Sequence, residues 1–111
     1  MHFIEEMTKA ERKEYRNNLR DKLIAAGGRL YVDEYSGTVI AIEPSIPGNK
    51  CKTFRVAVAY CSPSDKFKKS MGEAIALYRL NTKMCNVIRC GVYGNAMERM
   101  NEIADNFFYI C

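Results

Sequence analysis

The hydrophobic period of the chain changes at Gly27-Gly28, and this limits the fold more than any other feature. Before the pair, Tyr15, Leu19, Leu23 and Ala26 recur at four- and three-residue steps, the spacing of one helix face. Thr8 followed by Glu11 fits a capping box, so the pattern predicts a helix over 8–26. Past the pair the step is two: Leu30 and Val32 alternate with Tyr31 and Asp33, Ser36-Gly37 supplies a turn, and Thr38 to Ile42 is a β-branched run. That is a hairpin. Pro44, Pro47, Gly48 and Asn49 then mark a loop, because proline cannot donate to a ladder.

A third strand is expected over 52–61. Phe54, Val56, Val58 and Tyr60 share one face, while Arg55, Ala57, Ala59 and Cys61 share the other, whose small residues predict close packing against a helix. Ser62-Pro63-Ser64-Asp65 combines a capping hydroxyl, a proline at the first helical position and a carboxylate in the first turn, which predicts a second helix over 63–80. Phe67, Met71, Ala74, Ile75 and Tyr78 form its apolar stripe. Residues 84–90 read as a short fourth strand. Asn95 with Glu98 makes another capping pair, and Met97, Met100, Ile103 and Ala104 give a third helix to about Asp105. The aromatic tail that follows has two readings: an edge strand that folds back on the core, or a contact made by Phe107, Phe108, Tyr109 and Ile110 with a partner or a second copy.

The expected fold is therefore α+β, order αβββαβα: a small antiparallel sheet of about four strands with three helices, in one domain over 1–111. Each helix has a single apolar stripe to bury, so the economical arrangement covers one face of the sheet. At 111 residues and 48% hydrophobic composition, folding buries roughly two-thirds of the open chain's surface, enough to need neither disulfides nor a structural metal.

Composition also narrows the function. The net charge of +4 comes from 17 Lys+Arg interspersed with 13 Asp+Glu, and the sequence pI near 8.8 is only mildly basic, so a dedicated nucleic-acid domain is not favoured. The five cysteines are an odd set without a Cys-x-x-Cys pair, and MHFIEEMTKAER has no apolar leader; free thiols in a reducing cytoplasm are expected. The longest apolar run, VAVAYC, is far too short to span a bilayer. No zinc site, other metal site or cofactor is expected: His2 is the single histidine and Cys85 and Cys90 are wrongly spaced for a knuckle.

An enzyme is disfavoured for the same reason, since no paired carboxylates, nucleophile elbow or Walker loop is present. Cys61, just before a helix start, is the one thiol a cysteine-dependent enzyme would use. A stronger constellation lies on the second helix. Lys68, Gly72, Ala76 and Arg79 fall on one stripe beside the apolar face, Lys66 and Lys69 lie near the same helix start, and Arg55 precedes them. These five cations are the candidate site for a phosphate or other anion, with Tyr60, Phe67 and Tyr78 as stacking candidates for a base. The alternative is a solvated face.

The segment CSPSDKFKKSMGEAIALYRLN, residues 61–81, resembles a stretch found in small uncharacterised bacteriophage accessory proteins, on Cys61, Asp65, Phe67, Lys69, Gly72, Ala76, Arg79 and Leu80. The phage pattern often has Arg directly after the glycine; this chain has Glu73, which removes one cation from the proposed anion face. The resemblance implies a host-takeover or anti-defence protein acting by binding, in the host bacterial cytosol and with self-association open to it. Its target would be a bacterial defence protein, such as a CRISPR effector, or a nucleotide immune signal. The alternative from a different class is a small basic nucleic-acid-binding protein.

Overall fold

A computed structural model describes residues 6–45, 53–60, 68–89 and 95–110. Helix α1 spans Lys9–Ala25 and opens with the expected capping box: the Thr8 hydroxyl accepts from the Glu11 N–H at 3.1 Å, and the Thr8 N–H donates to the Glu11 carboxylate at 3.2 Å. Hydrogen bonding to the Glu11 carboxylate from the Thr8 side chain first, and from the Thr8 backbone N–H second, holds that carboxyl below its ordinary pKa. At the other end, the Gly27 N–H reaches the Ile24 carbonyl at 3.0 Å and the Gly28 N–H reaches that of Leu23 at 2.8 Å. This is a Schellman closure, and it requires the left-handed φ of +84° that Gly27 adopts.

Strands β1 (Arg29–Asp33), β2 (Thr38–Pro44) and β3 (Thr53–Tyr60) follow as an antiparallel meander, with Leu30 opposite Ala41 and Ile42 opposite Val56. In the β1–β2 turn the Asp33 carboxylate accepts from the Tyr35 N–H at 3.1 Å and the Ser36 hydroxyl at 2.9 Å. Helix α2 (Lys69–Asn81) crosses one face of the sheet and leads into β4 (Asn86–Arg89), which pairs antiparallel with β3. The chain closes with α3 (Ala96–Ile110). The sheet order is β1-β2-β3-β4, so the α+β architecture and element order are as read from the sequence.

Helices cover both faces of this sheet, which corrects the single-face expectation. Ile40, Ile42, Phe54 and Val56 point to α3, meeting Ala96, Met100, Ile103 and Ala104. Val39, Ala41, Ala57 and Ala59 point the other way, to Ala76, Leu77 and Leu80 of α2 and Leu23 of α1. The reason lies in β2: Val39, Ile40, Ala41 and Ile42 are consecutive and all fully buried, and a continuous apolar run belongs to a strand packed on both sides. The predicted small face of β3 does meet a helix. Ala57 and Ala59 bring α2 close, and Ala76 is its fully buried counterpart.

α1 lies alongside α2. Arg12 meets Met71 (Nη1 to Sδ, 3.7 Å), Arg16 pairs with Glu73 at 3.5 Å, and Lys22 reaches Asn81 at 3.3 Å. These contacts advance together along both chains, so the two helices run parallel and end on the same side. Glu73, 5% exposed, is thus the carboxylate that ties α2 to α1.

Two further boundaries differ. The C-terminal segment does not form an edge strand; residues 106–110 continue α3, because Met100, Ala104 and Phe107 keep the helical step and no breaker interrupts it. Phe107 and Phe108 are half-buried against the α3-side core. α2 begins at Lys69 after an extended Lys68 that makes no side-chain cap, and the expected start at Ser62–Asp65 lies outside the described residues.

Candidate functional site: a notch at the open edge of the sheet

β4 is half the length of the strand it pairs with. It covers Thr53 to Val56 of β3 and leaves Ala57 to Tyr60 without a β4 partner. The cause is the way α2 ends. The Thr82 N–H and hydroxyl both donate to the Tyr78 carbonyl (2.9 and 2.8 Å), the Lys83 N–H to Leu80 (3.2 Å) and the Met84 N–H to Arg79 (2.7 Å). This second Schellman closure places Lys83 at φ +62° and uses residues 82–84 to satisfy helix carbonyls, so they cannot extend the ladder beside β3. The Arg79 guanidinium takes over part of that role: its Nη1 donates to the Val58 carbonyl at 2.6 Å.

What remains is a notch of about 430 Å³ where the two helical layers approach one another past the end of β4. Arg79 of α2 and Phe107 of α3 line it from opposite sides, with Val58 and Tyr60 of β3 and Met84 and Cys85 of the α2–β4 connection between them. Tyr60 is 60% exposed, Met84 58% and neighbouring Val87 66%. Two large exposed side chains, Tyr60 and Met84, therefore line the notch, while Val87 is exposed farther along β4, opposite Arg55. Burial pushes the Cys85 thiol pKa up, a trend that Glu43 adds to and Arg55 opposes, so the thiol stays protonated and is a weak nucleophile.

The sequence-nominated residues divide among several places. Arg79, Tyr60 and Phe107 come together in the notch. Arg55 does not join them: its Nη2 is held by Glu43 at 2.6 Å across the β2–β3 ladder, and it lines a cavity of about 310 Å³ with Lys22 and Lys83 at the C-terminal ends of α1 and α2. Lys68 and Lys69 are exposed at the opposite end of α2, about 18 Å away along the helix axis at 1.5 Å per residue. Tyr78 is half-buried near Tyr15 of α1, whose hydroxyl pKa is raised by burial first and by Tyr78 second. Phe108 packs on the α3-side core. Lys66, Phe67 and Cys61, with the side chains of Tyr109 and Ile110, lie outside the described residues.

The described part of residues 61–81 does structural work. Ala76 and Leu80 are buried in the α2-side core, Arg79 caps the β3 edge, and Glu73, where the phage pattern often has Arg, pairs with Arg16. Sequence reasoning missed Met84 and Val87. Their exposure depends on how the chain turns after α2 and on β4 beginning at Asn86 instead of 84, and NTKMCN carries no glycine to mark that turn.

Among the described residues, no group of three or more His, Cys, Asp or Glu could hold a metal ion, and no helix is long and apolar enough to cross a membrane. In comparisons with known proteins, the chain matches no family model, no curated protein and no solved structure.

Proposed function

We propose that the chain is a non-enzymatic, phage-type binding protein that inhibits a bacterial defence system in the host cytosol by blocking a host defence protein, with the notch at the β3–β4 edge as its contact. The observation that carries the reading is that Tyr60 and Met84, both more than half exposed, line a notch where β4 stops short of the end of β3, with Val87 exposed farther along the same short strand. Aromatic and methionine side chains are enriched at the centres of protein interfaces. The phage and anti-defence part rests on the resemblance of residues 61–81.

The separation of the nominated cations favours a protein target over a nucleotide signal. Arg55 and Arg79 already serve Glu43 and the Val58 carbonyl, and Lys68 and Lys69 lie far from Arg55. Nucleic acid binding is less favoured for a similar reason, because Arg12 and Arg16 of α1 are turned towards α2.

The test is phage plating on bacteria that carry a defined defence system, with and without the chain expressed. Wild type is expected to restore plating on at least one defended strain. The folded double variant Met84→Glu, Val87→Glu is expected to lose that rescue. Full rescue by the double variant would contradict the notch as the contact, and a nucleotide released on denaturing the purified protein would move the function to signal sequestration.

A further inference from the structure

A second cavity, of about 490 Å³, opens well away from the notch, between the last turn of α1, the start of β1 and the start of α3. Leu23 and Met100 form its floor and are 3% and 2% exposed; Ile24 and Met97 form its mouth and are 58% and 44% exposed. Arg20 and Arg29 flank that mouth, both exposed, and Arg20 lies one helical turn before Ile24 on the same face of α1. Their situation differs from that of three other described arginines. Arg16, Arg55 and Arg99 each face a carboxylate, whereas neither Arg20 nor Arg29 pairs with one among the described residues. Among the described residues, no acidic side chain lines the cavity. The start of α3 adds little, because the Asn95 carboxamide oxygen already accepts from the Met97 and Glu98 N–H groups at 2.9 and 3.4 Å.

We propose that this cleft binds a small amphiphile carrying one anionic head, a carboxylate or a phosphate, on an apolar body. Arg20 and Arg29 hold the head, and Ile24 and Met97 close over the body above Leu23 and Met100. The volume lies in the range of small-molecule sites. Unpaired guanidinium groups at the mouth select an anion by charge-assisted, bidentate hydrogen bonding. Methionine on two sides lets the wall adapt to the shape of the body. This proposal stands independently of the notch.

Titrating the full chain with decanoate, decyl phosphate, inorganic phosphate and decyltrimethylammonium, read by calorimetry and by the methyl NMR signals of Ile24, Met97 and Met100, tests it. At least one of the two anionic amphiphiles is expected to saturate a single site and shift all three methyls, and the tighter of the two identifies the preferred head. Inorganic phosphate, which lacks the body, is expected to bind at least about ten-fold more weakly, and Arg20→Gln with Arg29→Gln to weaken the amphiphile by about ten-fold or more. Both substituted side chains are exposed, so the variant should keep the wild-type melting temperature, and circular dichroism checks this. Equal binding of the cationic amphiphile, methyl shifts elsewhere, no saturation by either anionic amphiphile at millimolar concentration, or unchanged affinity in the folded variant would each overturn it.

Discussion

α1 and α2 run side by side and end in the same backbone motif, yet one ending is sealed into the core and the other stays open. At α1 the left-handed position is Gly27 and the next residue, Gly28, is buried against Leu23 and Ile42, so the chain passes directly into β1. At α2 the same positions are held by Lys83 and Met84, both exposed, and the chain needs one more residue, Cys85, before β4 begins. An identical set of hydrogen bonds thus finishes one edge of the sheet and leaves the other unfinished. What differs is the residue after the left-handed position, since Gly28 lets the backbone close against Ile42 where any Cβ would collide with its carbonyl, and Met84 carries one.

Filling the sealed end should have the largest effect. A Cβ on Gly28 would lie 2.4 Å from Leu23 Cδ1 and 2.6 Å from the Ile42 carbonyl oxygen, and the backbone atom cannot move aside cheaply. Gly28→Ala is expected to cost about 3 kcal/mol in urea unfolding, as overpacking at a rigid contact does; a cost below about 1 kcal/mol would show that α1 and β1 are not locked there.

At the open end, Arg79→Met keeps the aliphatic stem and removes the donor to Val58. The expected loss is about 2 kcal/mol, in the range for a hydrogen bond from a charged group. Faster amide exchange should be confined to the β3 residues beyond β4, and uniform loss across the sheet would contradict the capping role. Lys83→Gly should act in the opposite direction. Relieving a left-handed side chain is worth about 1 kcal/mol, so this variant is expected to melt higher than wild type. The smallest effect concerns the capping box of α1. The Glu11 carboxyl is held below its ordinary pKa, so its contribution is present above the unfolded value and disappears as pH falls through the folded one. The difference in melting temperature between wild type and Glu11→Gln should therefore shrink on acidification through the carboxylate range.

The same contrast explains what could be read in advance. Thr8 with Glu11, Ser36-Gly37 and the Ala57/Ala59 face are local patterns whose meaning lies within a few residues, and each was legible. Burial of both sheet faces was written into the Val39–Ile42 run, but the single apolar stripe of each helix argued more strongly for one covered face. Residues 106–110 carry aromatic residues suited to a strand, and the three- and four-residue step from Met100 to Phe107 prevailed over that preference. The site was legible only as separate residues. Tyr60, Arg79 and Phe107 drew notice for stacking, anion binding and partner contact, and only the packing of three elements brings them to one notch. The end of α2 was legible to within one residue, at 80 against Asn81, but the left-handed closure at Lys83 was not, because a lysine occupies the position where a glycine would have marked it.

The central claim is that the unfinished edge contacts the target. A photo-crosslinking amino acid placed singly at Met84, at Val87 and at Asn18, an exposed α1 position, tests it most directly in defended bacteria where the chain restores phage plating. Adducts to one host protein from positions 84 and 87, with none from 18, are the predicted result. Adducts from 18 alone, or none from 84 and 87 in cells that still show rescue, would contradict it.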